Sequence, residues 1–113
     1  MRANSDRELK KGTADLLVLA LLQEKERHGY ELAKLIERRS AEVLVFRVAS
    51  LYTLLHRLEG QGLIRGRWVE KPTQRRRRFY RLTRLGRTTL TREQHGWQRF
   101  VDAVQQVIEP DPA

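Results

Sequence analysis

The spacing of apolar positions divides the chain into four helical stretches and one hairpin. Residues 1–12 are polar and charged without apolar periodicity and read as a flexible N-terminal arm. Thr13 reads as an N-cap, with Ala14 and Asp15 in a first turn where a carboxylate suits the helix dipole. The helix that follows is apolar on all sides through Leu16-Leu17-Val18-Leu19-Ala20-Leu21-Leu22. One-sided burial cannot satisfy that pattern: either this helix threads the middle of the domain, or a partner chain covers its far side. A second helix is expected from about Gly29 to Arg39, with Leu32, Leu35 and Ile36 on one stripe. Ser40 to Val48 breaks the period and is short enough to be the turn of a helix-turn-helix. A third helix begins near Ala49 or Ser50, carries Leu51, Leu54, Leu55 and Leu58 at i, i+3, i+4, i+7, and stops at Gly60 and Gly62.

Two strands are expected next, Leu63 to Glu70 and Arg77 to Leu82, joined by Lys71-Pro72-Thr73-Gln74-Arg75-Arg76. Thr83 then caps a long helix whose stripe is Trp97, Phe100, Val101, Val104 and Ile108, ending before Pro110. The fold expected is mainly α with a small β-hairpin: a winged helix-turn-helix over 13–83 followed by a C-terminal dimerisation helix over 84–109. The last stripe is too long and too apolar for the short hairpin before it to cover. An isologous homodimer would bury it and cover the first helix as well.

Charge sharpens this picture. The formal net charge is +9, and Arg65 to Arg87 holds ten Lys/Arg against one acid, Glu70, while the rest of the chain cancels. A field focused on one hairpin suits a polyanion. The apolar run from Leu16 to Leu22 is far shorter than the about 20 residues of a membrane span, so no membrane partner is expected. The chain has no cysteine, which fits a cytoplasmic protein. Its three histidines lack metal-ligand spacing. P-loop, GxGxxG, paired-carboxylate and nucleophile–base patterns are absent, so neither an enzyme nor a cofactor is expected.

The third helix is the candidate reader of double-stranded DNA. Its apolar stripe faces inward, which leaves Thr53 and His56 on the opposite side and Ser50, Tyr52 and Arg57 on the flanks. Two duller roles stand beside DNA contact: Ser50 as a helix cap, and Tyr52 packed with its hydroxyl in water. In the wing, Arg75, Arg76, Arg77 and Arg78 can neutralise phosphates. Alternation cannot aim four consecutive side chains one way, so either the even pair or the odd pair faces the duplex. A basic RNA-binding protein and a protein-interaction module kept soluble by its arginines are the rival readings.

His28-Gly29-Tyr30-Glu31-Leu32, Ser50 through Glu59 with Gly62-Leu63-Ile64, Arg76 through Thr83, Gly86 and Trp97 together resemble the PadR family. The similarity runs from about Thr13 to Ile108, and the single last helix is similar to the family's shorter branch. The resemblance implies a winged-helix dimer, repression at a pseudo-palindromic operator and, in some small members, sensing of flat aromatic compounds at the dimer interface. Trp97 has two readings here: plain packing in the dimer interface, or sensing of a planar aromatic effector sandwiched between two symmetry-related indoles. The chain departs from the family at Val48-Ala49, at Thr53 and at the wing tip Pro72-Thr73-Gln74.

Overall fold

The computed structural model describes residues 2–111, without the side chains of residues 2–11 and Gln74. The elements are α1 (Arg2–Glu24), β1 (Arg27–His28), α2 (Gly29–Arg39), α3 (Val48–Gly60), β2 (Ile64–Lys71), β3 (Gln74–Leu82) and α4 (Arg84–Ile108). The strands form one antiparallel sheet in the order β1-β3-β2. This is the mainly α architecture with a small hairpin that the apolar spacing predicts. Four details differ. The segment expected as an arm is helical from Arg2, so Thr13 lies inside α1 and is not its N-cap. Asp15 serves no first turn and instead binds Arg57 of α3. β3 starts at Gln74, which shortens the connection between the long strands to Pro72-Thr73. The two-residue β1 was not foreseen.

The core lies where α1, α2, α3 and the base of the hairpin meet. Val18, Leu19, Leu32, Leu51, Leu55, Leu58, Ile64 and Leu90 are fully buried there, each leucine contributing about 1.5–3 kcal/mol of transfer free energy. Arg27 is buried too, and its guanidinium is satisfied on every side. It donates to the Leu21 carbonyl (3.1 Å), to Glu31 (2.8 Å) and to Glu24 (2.7 Å), tying the end of α1 to the start of α2. Glu24 also accepts two bonds from Arg39. The Arg39 hydrogen bond is the main cause, with Arg27 adding to it, that holds the Glu24 carboxyl down to about 2.

The turn between α2 and α3 is built on Ala41 and Glu42, both left-handed at φ 52° and 67°, with the Ser40 hydroxyl accepting the Leu44 N–H at 2.9 Å. α3 starts from Arg47, which supplies no side-chain cap, so Ser50 is a first-turn residue and not the cap. It ends as its glycines predict: Gly62 takes φ 78°, and the Gly62 and Leu63 amides close onto Glu59 and Leu58. Thr83 caps α4 as expected. Its hydroxyl accepts the Gly86 N–H (3.0 Å) and donates to the Gly62 carbonyl (2.7 Å). α4 packs on α1 and buries Leu90 in the core, and its second half runs on past the core. The radius of gyration is 16.4 Å, well above the about 13 Å of a compact chain this long.

Candidate functional site

α3 presents Ser50, Tyr52, Thr53 and His56 to solvent on one side, while Leu51, Leu54, Leu55 and Leu58 are buried on the other. The Thr53 hydroxyl donates to the Ala49 carbonyl one turn back (3.2 Å), leaving its lone pairs facing outward. Arg57 behaves differently. It turns toward α1 and is held by both oxygens of Asp15, at 2.6 and 3.2 Å. A flank position on a helix can serve either side, and here a carboxylate distant in sequence has claimed it.

The hairpin separates its four arginines by strand alternation. Trp68 pairs with Arg78 and Gly66 with Tyr80, so Gly66, Trp68, Arg76, Arg78 and Tyr80 share the face that continues into the core. On that face Arg76 lies 4.3 Å above the Trp68 ring and meets Glu70 at 3.2 Å. Arg78 is tied to Glu59 of α3 at 2.8 Å. Arg75 and Arg77 lie on the opposite face, where Arg77 reaches the His28 ring at 3.4 Å and Arg75 has no ion-pair partner among the described residues. Of the ten basic residues in this region, Arg67, Arg76 and Arg78 are paired with acids. Arg67 holds the Glu26 carboxyl below its ordinary value through a two-bond contact.

Between wing and helices opens a cleft of about 520 Å³, bordered by Tyr30 of α2, Val48 and Tyr52 of α3, and Trp68 with the arginine run of the hairpin. The motif His28-Gly29-Tyr30-Glu31-Leu32 sets its rim. His28 Nδ1 accepts the Glu31 N–H at 3.2 Å and caps α2. Gly29 lets α3 approach, since a Cβ there would sit 2.6 Å from the Tyr52 ring. Leu32 anchors the helix in the core. Tyr30 is legible in the sequence only as part of that motif, because its place on the rim depends on α3 and the hairpin. Trp68 and Glu59 were missed, because their roles depend on partners on neighbouring elements.

Burial, and then the neighbouring Arg77, push the His28 pKa below its ordinary 6.5. The folded protein thus favours the neutral ring, which alone can accept the capping bond. Its stabilising contribution is complete above 6.5 and is lost as pH falls through the lower folded value. Thermal unfolding from about pH 8 down to about pH 5 should show this loss. His28→Asn keeps a capping acceptor without a titrating ring and should flatten that dependence; an unchanged pH profile would assign it to other groups.

A second opening, about 860 Å³ and mostly apolar, lies between Leu16 and Leu17 of α1, the loop from Val43 to Phe46, and Trp97 and Phe100 of α4. Trp97 and Phe100 are 42% and 45% exposed, with ring centroids 6.0 Å apart. Val104 continues the exposed stripe and Val101 is half-buried. Trp97, Phe100, Val101 and Val104 are thus brought to one surface beside the partly covered side of α1. Among the described residues no cluster of His, Asp and Glu could hold a metal, and no helix is long and apolar enough to cross a membrane.

Comparison with known proteins agrees with the motif blocks. A transcriptional regulator from Clostridium thermocellum is 27% identical, with a TM-score of 0.82 covering 90% of this chain and 96% of that one. A PadR family transcriptional regulator from Eggerthella lenta is 30% identical, with a TM-score of 0.78 over 96% of this chain and 93% of that one. Bacillus subtilis PadR, solved in complex with operator DNA, shares the fold at 22% identity and a TM-score of 0.63, over 88% of this chain and 49% of that one. The sequence model of the transcriptional regulator PadR-like family matches residues 18–92, well over half of the chain. The chain belongs to the PadR-like family of transcriptional regulators.

Proposed function

We propose that this PadR-like chain is a DNA-binding regulator, a repressor that grips a pseudo-palindromic operator as a homodimer. The observation that carries the reading is the common cleft: the exposed side of α3 and the arginine wing border one opening, through Tyr52 and the Arg75–Arg78 run. A duplex laid across it would take α3 into the major groove and the wing onto its phosphates. That Bacillus subtilis PadR was solved in complex with operator DNA supports duplex DNA as the ligand of this fold. Ser50, Tyr52, Thr53 and His56 are the residues placed for bases and sugar, and Arg76, on the face of the wing turned toward α3, is the one placed for phosphate, with Arg75 and Arg77 on the other face adding to the field that draws the duplex. Arg57 and Arg78 hold α3 to α1 and to the wing. The dimer forms through Trp97, Phe100, Val101 and Val104 of α4 against the partner's copy of the same surface. A planar aromatic effector would stack between the two Trp97 indoles and release the operator.

The test is a footprint of the purified protein on DNA upstream of its own gene, with hairpin RNA as competitor and with planar aromatic cations added. Two protected half-sites about 10 bp apart centre to centre are expected. Duplex affinity without salt dependence, or equal affinity for the RNA, would overturn the reading. Thr53→Ala and His56→Ala should each cost about 1–3 kcal/mol on the operator and much less on random duplex. Arg57→Ala should instead lower the melting temperature and weaken both targets alike, because its partner is Asp15.

A further inference from the structure

The face of the wing turned toward α3 carries a ladder of alternating rings and guanidinium groups. Tyr80 is buried at its base, Arg78 lies 5.8 Å from the Tyr80 ring and 5.4 Å from the Trp68 ring, and Arg76 lies 4.3 Å above the far side of the ladder on Trp68. The ladder is built at its inner end. Glu59 binds Arg78 at 2.8 Å and the Gly66 amide at 3.0 Å. Gly66 leaves the strand bare where Arg78 crosses, since a Cβ there would be 2.5 Å from Arg78 Nε. Arg78 is therefore committed to the protein. The outer end is open: Arg76 and Glu70, its one carboxylate partner among the described residues, are 55% and 71% exposed.

We propose that Trp68 is a positioning residue for DNA binding, an indole platform that holds Arg76 extended while a phosphate displaces Glu70 from it. This rests on the DNA-binding reading above. Stacking uses the flat face of the guanidinium and leaves its N–H edge free, so the platform need not be given up when the anion changes. An exposed ion pair such as Arg76–Glu70 is weak and readily exchanged. A duplex phosphate adds release of condensed counterions, which the carboxylate cannot supply. Without the indole, Arg76 would be a free chain among three neighbouring like charges and would have to be ordered at the moment of contact.

A double-mutant cycle on duplex affinity decides this, using wild type, Trp68→Leu, Arg76→Ala and the double variant in a salt titration. Arg76→Ala should lower the slope of log affinity against log salt by about 0.9 per wing. Trp68→Leu should weaken binding about 5- to 25-fold in a dimer with two wings, the loss of one exposed stacking contact in each. In the Arg76→Ala background it should change affinity less than about twofold, since its effect passes through Arg76. Trp68→Phe, which keeps a ring under the guanidinium, should recover most of the loss. Multiplying losses in the double variant, or no loss in Trp68→Leu, would overturn the platform role while leaving the DNA-binding reading in place. Absence of salt-dependent duplex binding by the wild type would overturn both.

Discussion

Val104→Glu is expected to leave a monomer and to reduce operator affinity on the order of 100- to 10,000-fold, the range lost when two linked contacts become one. Val104 lies on the exposed stripe of α4, which continues from Trp97 and Phe100 beyond the reach of its own core. A carboxylate there must give up its hydration on association or keep the chains apart, and the second course is less costly than burying an unpaired charge. Since the side chain is 39% exposed in the single chain, the subunit itself should fold. Sedimentation of both proteins at micromolar concentration checks the result. A monomeric wild type, or a variant that still sediments as a dimer, would remove α4 from the interface.

Gly86→Ala should cost about 3 kcal/mol, against the usual preference of a helix for alanine over glycine. The added Cβ would lie 2.1 Å from the Leu63 carbonyl oxygen and 2.7 Å from Leu82 Cδ1. A flexible side chain could yield, but that carbonyl cannot: it accepts the Thr83 N–H at 3.1 Å and lies 3.0 Å from the Thr83 hydroxyl. Moving it would disturb the start of β2 and the cap of α4 together. A melting temperature lowered by about 10–20 °C is expected for a domain of this size. Gly96→Ala, further along α4 with nothing within 4 Å of the added atom, should be neutral or stabilise by up to about 1 kcal/mol. Equal shifts for both variants would show that helix propensity, not the contact with Leu63, sets the result.

The elements that could be read from sequence are those whose signal is local. The leucine stripe of α3 faces inward as its spacing requires, and Thr83 and Gly62 mark helix ends because the capping bond from the Gly86 N–H to Thr83 is local and Gly62 supplies a positive φ. The errors fall where the signal is not local. Residues 2–12 carry no apolar period, yet Arg, Ala, Glu, Leu and Lys there are good helix formers, and α1 runs through them. Arg75 and Arg76 show no apolar alternation, so the sequence pattern begins β3 only at Arg77, whereas pairing with β2 extends it back to Gln74. β1 is too short for any period and exists through its pairing with Tyr80 and Phe79. Of the candidate site, the outward residues of α3 followed from the buried stripe. The fates of Arg57, Arg76 and Arg78 did not, because each depends on a carboxylate, at Asp15, Glu70 and Glu59, that only the folded chain brings near.

The Asp15–Arg57 contact joins residues 42 apart in sequence, and α1, which carries Asp15, also supplies Leu16 and Leu17 to the apolar groove. The helix proposed to read bases is therefore fastened to a wall of the cavity proposed to take an effector. Two binding events that share one movable part obey reciprocity: the factor by which an effector changes the affinity for operator equals the factor by which operator changes the affinity for effector. A molecule that fills the groove without favouring one placement of α1 over another shifts nothing, however tightly it binds. For an effector that acted through α1, the strength of induction would depend on how differently it bound two placements of that helix, and effector titrations with and without duplex would read it directly.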